Sequence, residues 1–275
     1  MRSTFDAWRN HDFIHICLSV RVLFLKIKGV IRISIILKTE KWGVAEKADV
    51  LKVLNFTKKI MDSFFNRSFP CDIFVYQKTS GSPRTLFDKS PSGAYQINLN
   101  VTDTYWSQYV YQFSHEYCHV RTNHCITNSR TQWFEEVVCE LASICALREM
   151  AKAWKIKPPY PHWENYAESL STYAENILSD PLHKIPSDVS FDVWFKGQIS
   201  LLEKDPYMRD SNTIIAIELL PIFDAYPSIW NSITYWHGWG KDEGSDIQVS
   251  MQRWLDLIPL KNKSGAEAVA AVFVR

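Results

Sequence analysis

The segment Gln112-Phe-Ser-His-Glu-Tyr-Cys-His-Val120 carries two histidines four residues apart, His115 and His119, with Glu116 beside the first. On a helix, side chains four apart lie one turn above one another on one face, so two imidazoles can each direct a ring nitrogen to the same ion, as a tetrahedral zinc site requires. A carboxylate at Glu116 can then take a proton from metal-bound water, whose pKa the ion lowers toward ~7. At this chain's histidine and glutamate content, such a pattern arises by chance only roughly 0.01 times in a chain this long. The surrounding residues read as helical on independent grounds. Trp106, Val110, Phe113, Tyr117 and Val120 form one apolar stripe at spacings of three and four, and at about 100° per residue both histidines fall roughly opposite it.

A catalytic zinc site keeps three protein ligands and one open position, so a third ligand is expected downstream. Thr131-Gln-Trp-Phe-Glu-Glu-Val-Val-Cys-Glu-Leu-Ala-Ser143 reads as a second helix. Trp133, Val137, Leu141 and Ile144 mark its buried side, Glu136 and Glu140 lie on the edge of that side, and Glu135 and Glu149 lie well away. A carboxylate beside a buried face is costly unless paired or coordinated, which favours Glu136 as the ligand over Glu135. Glu140, one turn on, suits an outer role, accepting a hydrogen bond from the distal nitrogen of a ligand histidine. On its own the segment reads more readily as an amphipathic helix with salt-bridged glutamates; paired with the upstream motif, the balance reverses. His124 and Cys125 are poor partners for His119, since five residues along a helix turn His124 about 140° away.

With Glu136 seventeen residues after His119, HEYCH followed by WFEEVVCELAS resembles the gluzincin metallopeptidases, the group of thermolysin-like enzymes and zinc aminopeptidases. The resemblance spans about Tyr95 to Ser143. It implies that a helical glutamate in a Trp-containing segment completes the metal site and that an acidic residue one turn on supports a ligand histidine, roles that fall on Glu136 and Glu140. It also implies that Tyr95-Gln-Ile-Asn-Leu-Asn-Val101 is the edge strand along which an extended substrate aligns. The residue after Glu136 is Val137, where aminopeptidase members usually carry glycine, and no Gly-rich exopeptidase motif lies upstream.

Attack on an amide builds an oxyanion, which needs a donor besides the metal. Tyr207 and Arg209, in Asp-Pro-Tyr-Met-Arg-Asp, and Tyr235 and His237, in Tyr-Trp-His-Gly-Trp-Gly, are the candidates, each also readable as packing or solvated surface. The expectation is a Zn2+ hydrolase acting on a peptide or protein. Two alternatives remain open: a metal hydrolase of non-peptide amides or esters, and a zincin-like binding or scaffold protein without turnover.

The elements that must position these groups are those of an α+β chain. The 275 residues, 46% hydrophobic and 14% aromatic, suffice for one sizeable core. A formal net charge of +1 supplies no field for nucleic acid or an anionic membrane. Six cysteines without CxxC spacing read as small apolar residues, and with no leader signal the expected location is cytoplasmic. Val20-Arg-Val22 and Ile31-Arg-Ile-Ser34 read as half-buried strands broken at Gly29, while Arg21, Lys26, Lys28 and Arg32 oppose a spanning helix; a basic membrane-surface element is the other reading. Residues 1–43 are thus expected to form a β-like extension. A zincin-like domain follows over 44–275, with sheet and metal-site helices over 44–143 and helices over 144–275. Within it, Val50, Val53, Phe56, Ile60 and Phe64 predict a helix ending before Pro70. Cys71–Tyr76 and Tyr95–Val101 predict strands of a small antiparallel or mixed sheet, and prolines punctuate the helices after Thr104.

Overall fold

The computed structural model describes residues 34–65, 71–122, 130–236 and 245–274, and these lie within one compact unit that runs from Ile33 to Arg275. The architecture is α+β, a small mixed sheet followed by a mainly helical remainder.

The sheet comprises β1 (Ile35–Leu37), β2 (Ile73–Gln77), β3 (Arg84–Thr85) and β4 (Tyr95–Leu99), in the order β1-β2-β4-β3. Helix α1 (Lys47–Phe64) intervenes between β1 and β2, which pair in parallel, as a helical crossover allows. Strands β2 and β4 are also parallel, with Ile73 opposite Tyr95 and Val75 opposite Ile97. The connection between them turns back as β3, antiparallel to β4 with Thr85 opposite Ile97. The strand at Tyr95–Leu99 is therefore interior, and the sheet edge expected there belongs to β3. Strand order is set by which apolar faces meet, and Ile73, Val75, Ile97 and Leu99 are all fully buried in the sheet's middle.

Residues 34–43 belong to this unit, and Ile35 and Trp42 are core residues. The Val20–Val22 strand expectation, and Ile31 to Ile33 of the second, lie outside the described residues. The turn at Gly43 is a close approach. Its φ is +69°, and a Cβ there would sit 2.1 Å from Asp103 Oδ1, which accepts the Val44 amide hydrogen at 2.8 Å.

Two helices form the centre: α2 (Trp106–Arg121) and α3 (Gln132–Ile156), packed along one another. Around them lie α1, α4 (Tyr166–Ser179), α5 (Phe191–Leu202), α6 (Arg209–Ala225), α7 (Ile229–Ile233), α8 (Ile247–Leu257) and α9 (Lys263–Phe273). Ser190 caps α5 through Val193 N and Asp246 caps α8 through Val249 N, satisfying amides with no helical partner. Pro221 does not end a helix as the punctuation reading expects but lies inside α6.

Helix α3 is buried nearly all round rather than on one stripe. Trp133, Val137, Leu141 and Ile144 are buried as expected, and so are Phe134, Val138, Ala142 and Cys145 on its other sides. It packs on α2, α4 and α6, and Phe134 and Trp133 meet the rings of Trp236, Phe195 and Phe273. Up to Leu147 a helix enclosed in this way has almost no solvent face on which to leave charged residues; its exposed charges, at Lys152 and Lys155, come only in the last turns. No described helix is long and apolar enough to cross a membrane.

Candidate metal centre

The α2–α3 contact brings His115, Glu116 and His119 from α2 against Glu135, Glu136 and Glu140 from α3. The Glu136 carboxylate stands between the imidazoles. His115 Nε2 lies 3.2 Å from Glu136 Oε2, and His119 Nε2 lies 3.6 Å from Glu136 Oε1. The rings are 5.2 Å apart between centroids. Each outer nitrogen, Nδ1, faces another carboxylate of α3. His119 Nδ1 meets Glu135 Oε1 at 2.7 Å, a charge-assisted length, and His115 Nδ1 lies 3.9 Å from Glu140 Oε2.

Glu135 corrects the sequence reading, which set it away from the core. It is only 5% exposed and also accepts from Thr122 Oγ1 at 3.1 Å. Its inward position follows from the enclosure of α3, and the second apolar stripe through Phe134 and Val138 is the signal that could have found it. The outer-carboxylate role assigned to Glu140 is divided as a result. Glu140 lies too far from His115 for a hydrogen bond; it accepts instead from Tyr111 Oη at 2.6 Å, and its Oε1 is buried without a hydrogen-bond partner.

The charges are strongly interdependent. Burial alone would lower the His119 pKa, but the Glu136 and Glu135 carboxylates outweigh it and push it up to about 10. Burial likewise opposes the charge on His115, yet the Glu136 hydrogen bond and the Glu116 charge hold its pKa above the ordinary value. Glu136 is buried enough to favour its neutral form, but both histidines keep it ionised below the usual range. Glu140 goes the other way: burial raises it despite His115 and the Tyr111 hydrogen bond. Four carboxylates thus surround two imidazoles in a weakly screening interior. Two nitrogens and a carboxylate with surplus negative charge behind them are groups that could hold a metal ion.

Glu116 is buried at the foot of the sheet. Thr85 Oγ1 lies 3.0 Å from its Oε2 and 2.8 Å from its backbone carbonyl. The side-chain amide of Gln112 holds both backbone groups of Asn100 just beyond β4, fixing the sheet on α2. On the opposite flank, Asp62 of α1 accepts from Tyr117 Oη at 2.6 Å and pairs with Arg121 at 2.7 Å, clamping the back of α2.

A further donor escaped the sequence reading. The Cys139 sulfur, one turn after Glu135, lies with ligand nitrogens of His115 and His119 within 4.8 Å of one another. Burial, the neighbouring Cys118 thiol and the nearby carboxylates hold Cys139 as a neutral thiol. Cys71, Cys118, Cys139 and Cys145 are all free.

Of the proposed oxyanion donors, Tyr207 reaches the helix that carries Glu136, and its hydrogen bond is to Gln132 rather than to the cluster. It is 59% exposed, and its Oη accepts from Nε2 of Gln132, one turn before Glu136, at 3.2 Å. Partial burial, then the Glu136 charge, raise its pKa. Arg209 begins α6, and its charge acts on Glu140 and Tyr111. Among the described residues no hydrogen bond or ion pair links Tyr235 to the cluster. His237, His124 and Cys125 lie outside the described residues.

No protein-family model, curated protein or solved structure matches this chain.

Proposed function

We propose that the chain is a zinc-dependent hydrolase of peptide bonds, similar in its metal site to the gluzincins, with His115, His119 and Glu136 as ligands. One observation carries this reading: both inner imidazole nitrogens converge on Glu136 while carboxylates of the same helix stand behind their outer nitrogens. Zinc in such a site supplies a Lewis acid that acidifies water and polarises a carbonyl.

The chain's own residues account for the rest. Glu135 holds the His119 ring by its Nδ1, which leaves Nε2 as the ligating atom. Glu116, beside the histidines and held by Thr85, takes a proton from the attacking water and returns it to the leaving amine. Tyr207, hydrogen-bonded to Gln132 one turn before Glu136, is the group we assign to donate to the developing oxyanion. The outer edge of β3 offers unpaired backbone groups with which an extended peptide can pair, next to Glu116.

The test is Glu116→Gln. Zinc content is expected to persist while hydrolysis of a quenched-fluorescence peptide library falls about 100-fold or more. Undiminished hydrolysis would remove Glu116 from the mechanism. A second reading rests on Cys139: added to His115, His119 and Glu136 as a fourth ligand, it would close the site and leave no open position, giving a zinc-dependent fold with no turnover.

A further inference from the structure

We propose that Thr85, on the two-residue edge strand β3, is a positioning residue for Glu116, fixing the carboxylate that moves the proton. The inference rests on the hydrolase reading for its purpose, but the contact itself stands on geometry. Thr85 lies opposite Ile97 with its side chain turned toward α2, in a layer where the neighbouring sheet residues Ile73, Val75 and Ile97 are fully buried and apolar. A hydroxyl placed there is costly unless hydrogen-bonded, and valine would fill nearly the same volume without that cost.

The Thr85 hydroxyl reaches two acceptors of one residue, the Glu116 carbonyl at 2.8 Å and its Oε2 at 3.0 Å. Among the described residues no other side chain hydrogen-bonds the Glu116 carboxylate, so beyond packing and the charges of His115 and His119 this contact is what directs it. The carbonyl contact fixes Thr85 over α2, and the carboxylate contact then fixes Glu116 relative to the histidines. A hydroxyl has one proton and free lone pairs. Facing an ionised carboxylate it shares its one proton between the carbonyl and Oε2, and facing a protonated carboxyl it accepts from that group while donating to the carbonyl, so a contact persists on both sides of a proton transfer.

The placement of β3 also explains why so short a strand is tied down. Leu86 N donates to Gln96 O at 2.8 Å just beyond it, and Asn100 Nδ2 donates to Gly81 O at 2.8 Å before it, so both flanks are anchored around Thr85.

The experiment compares Thr85→Val, which keeps the shape, with Thr85→Ser, which keeps the hydroxyl, in zinc-loaded full-length protein; Thr85→Ala serves as a second hydroxyl-free variant if valine impairs folding. Crystal structures are expected to show the Glu116 carboxylate displaced or split in the hydroxyl-free variants and in place in Thr85→Ser. On the peptide library, kcat is expected to fall about 10- to 100-fold with KM little changed, and to be restored in Thr85→Ser. An unmoved Glu116 in a hydroxyl-free variant overturns the proposal, as does an unchanged kcat. If the parent protein cleaves nothing, the hydrolase reading fails while the crystallographic comparison still decides whether Thr85 positions Glu116.

Discussion

The two outer carboxylates differ enough to be separated by experiment. Glu135 makes a 2.7 Å hydrogen bond to His119 Nδ1 between two buried side chains, whereas Glu140 stands 3.9 Å from His115 Nδ1 and spends its short hydrogen bond on Tyr111. Glutamine at either position preserves size and an accepting oxygen, so the substitution removes charge and little else. Loss of a bonded outer partner typically costs 10- to 100-fold in metal affinity, or about 1.4 to 2.7 kcal/mol. Glu135→Gln is therefore expected to weaken zinc binding by that factor. Glu140→Gln has no hydrogen bond to the histidine to lose, and burial already raises the Glu140 pKa, so its effect is expected to stay below about tenfold. Competition against a fluorescent zinc chelator at neutral pH measures both. Equal affinities for Glu135→Gln and the parent, or a larger loss in Glu140→Gln, would refute the assignment of Glu135 as the main support of a ligand histidine.

Two further outcomes follow from the same geometry. In metal-free protein the His119 pKa is raised from 6.5 to about 10, so its protonated form stabilises the fold fully below about pH 6.5, and that contribution is lost as pH rises through 10. Denaturant melts of EDTA-treated protein are expected to show falling stability across this window and zinc-loaded protein a flatter profile; rising stability in the metal-free form would contradict the charge assignment. Gly43→Ala places a methyl group against Asp103 at positive φ and is expected to cost about 2 kcal/mol in urea unfolding; a neutral result would mean that this turn can shift.

Parts of the site were legible because they are local. The i, i+4 pairing of His115 and His119 needs only a helix, and the stripe from Trp106 to Val120 supplies one. Glu136 was reachable because its helix is dense in apolar residues and its position borders them. Glu135 was hidden by the assumption of a single buried stripe, although Phe134, Val138, Ala142 and Cys145 already spelled out a second one. The chain carried no local signal for Thr85. It lies among Gly81, Pro83, Pro91 and Gly93, and its importance arises only when β3 folds back on β4 and meets a residue 31 positions away. The interior place of β4 was equally nonlocal, since it depends on β1 and β2 pairing in parallel across α1.

The most direct test of the metal centre is zinc stoichiometry by elemental analysis of the purified protein, beside Glu136→Ala and Cys139→Ser. The proposed site requires about one zinc per chain, lost or weakened in Glu136→Ala and retained in Cys139→Ser. Zinc that survives Glu136→Ala but not Cys139→Ser would transfer the third ligand to the cysteine, and no zinc in the parent protein even after reconstitution would contradict the metal centre itself.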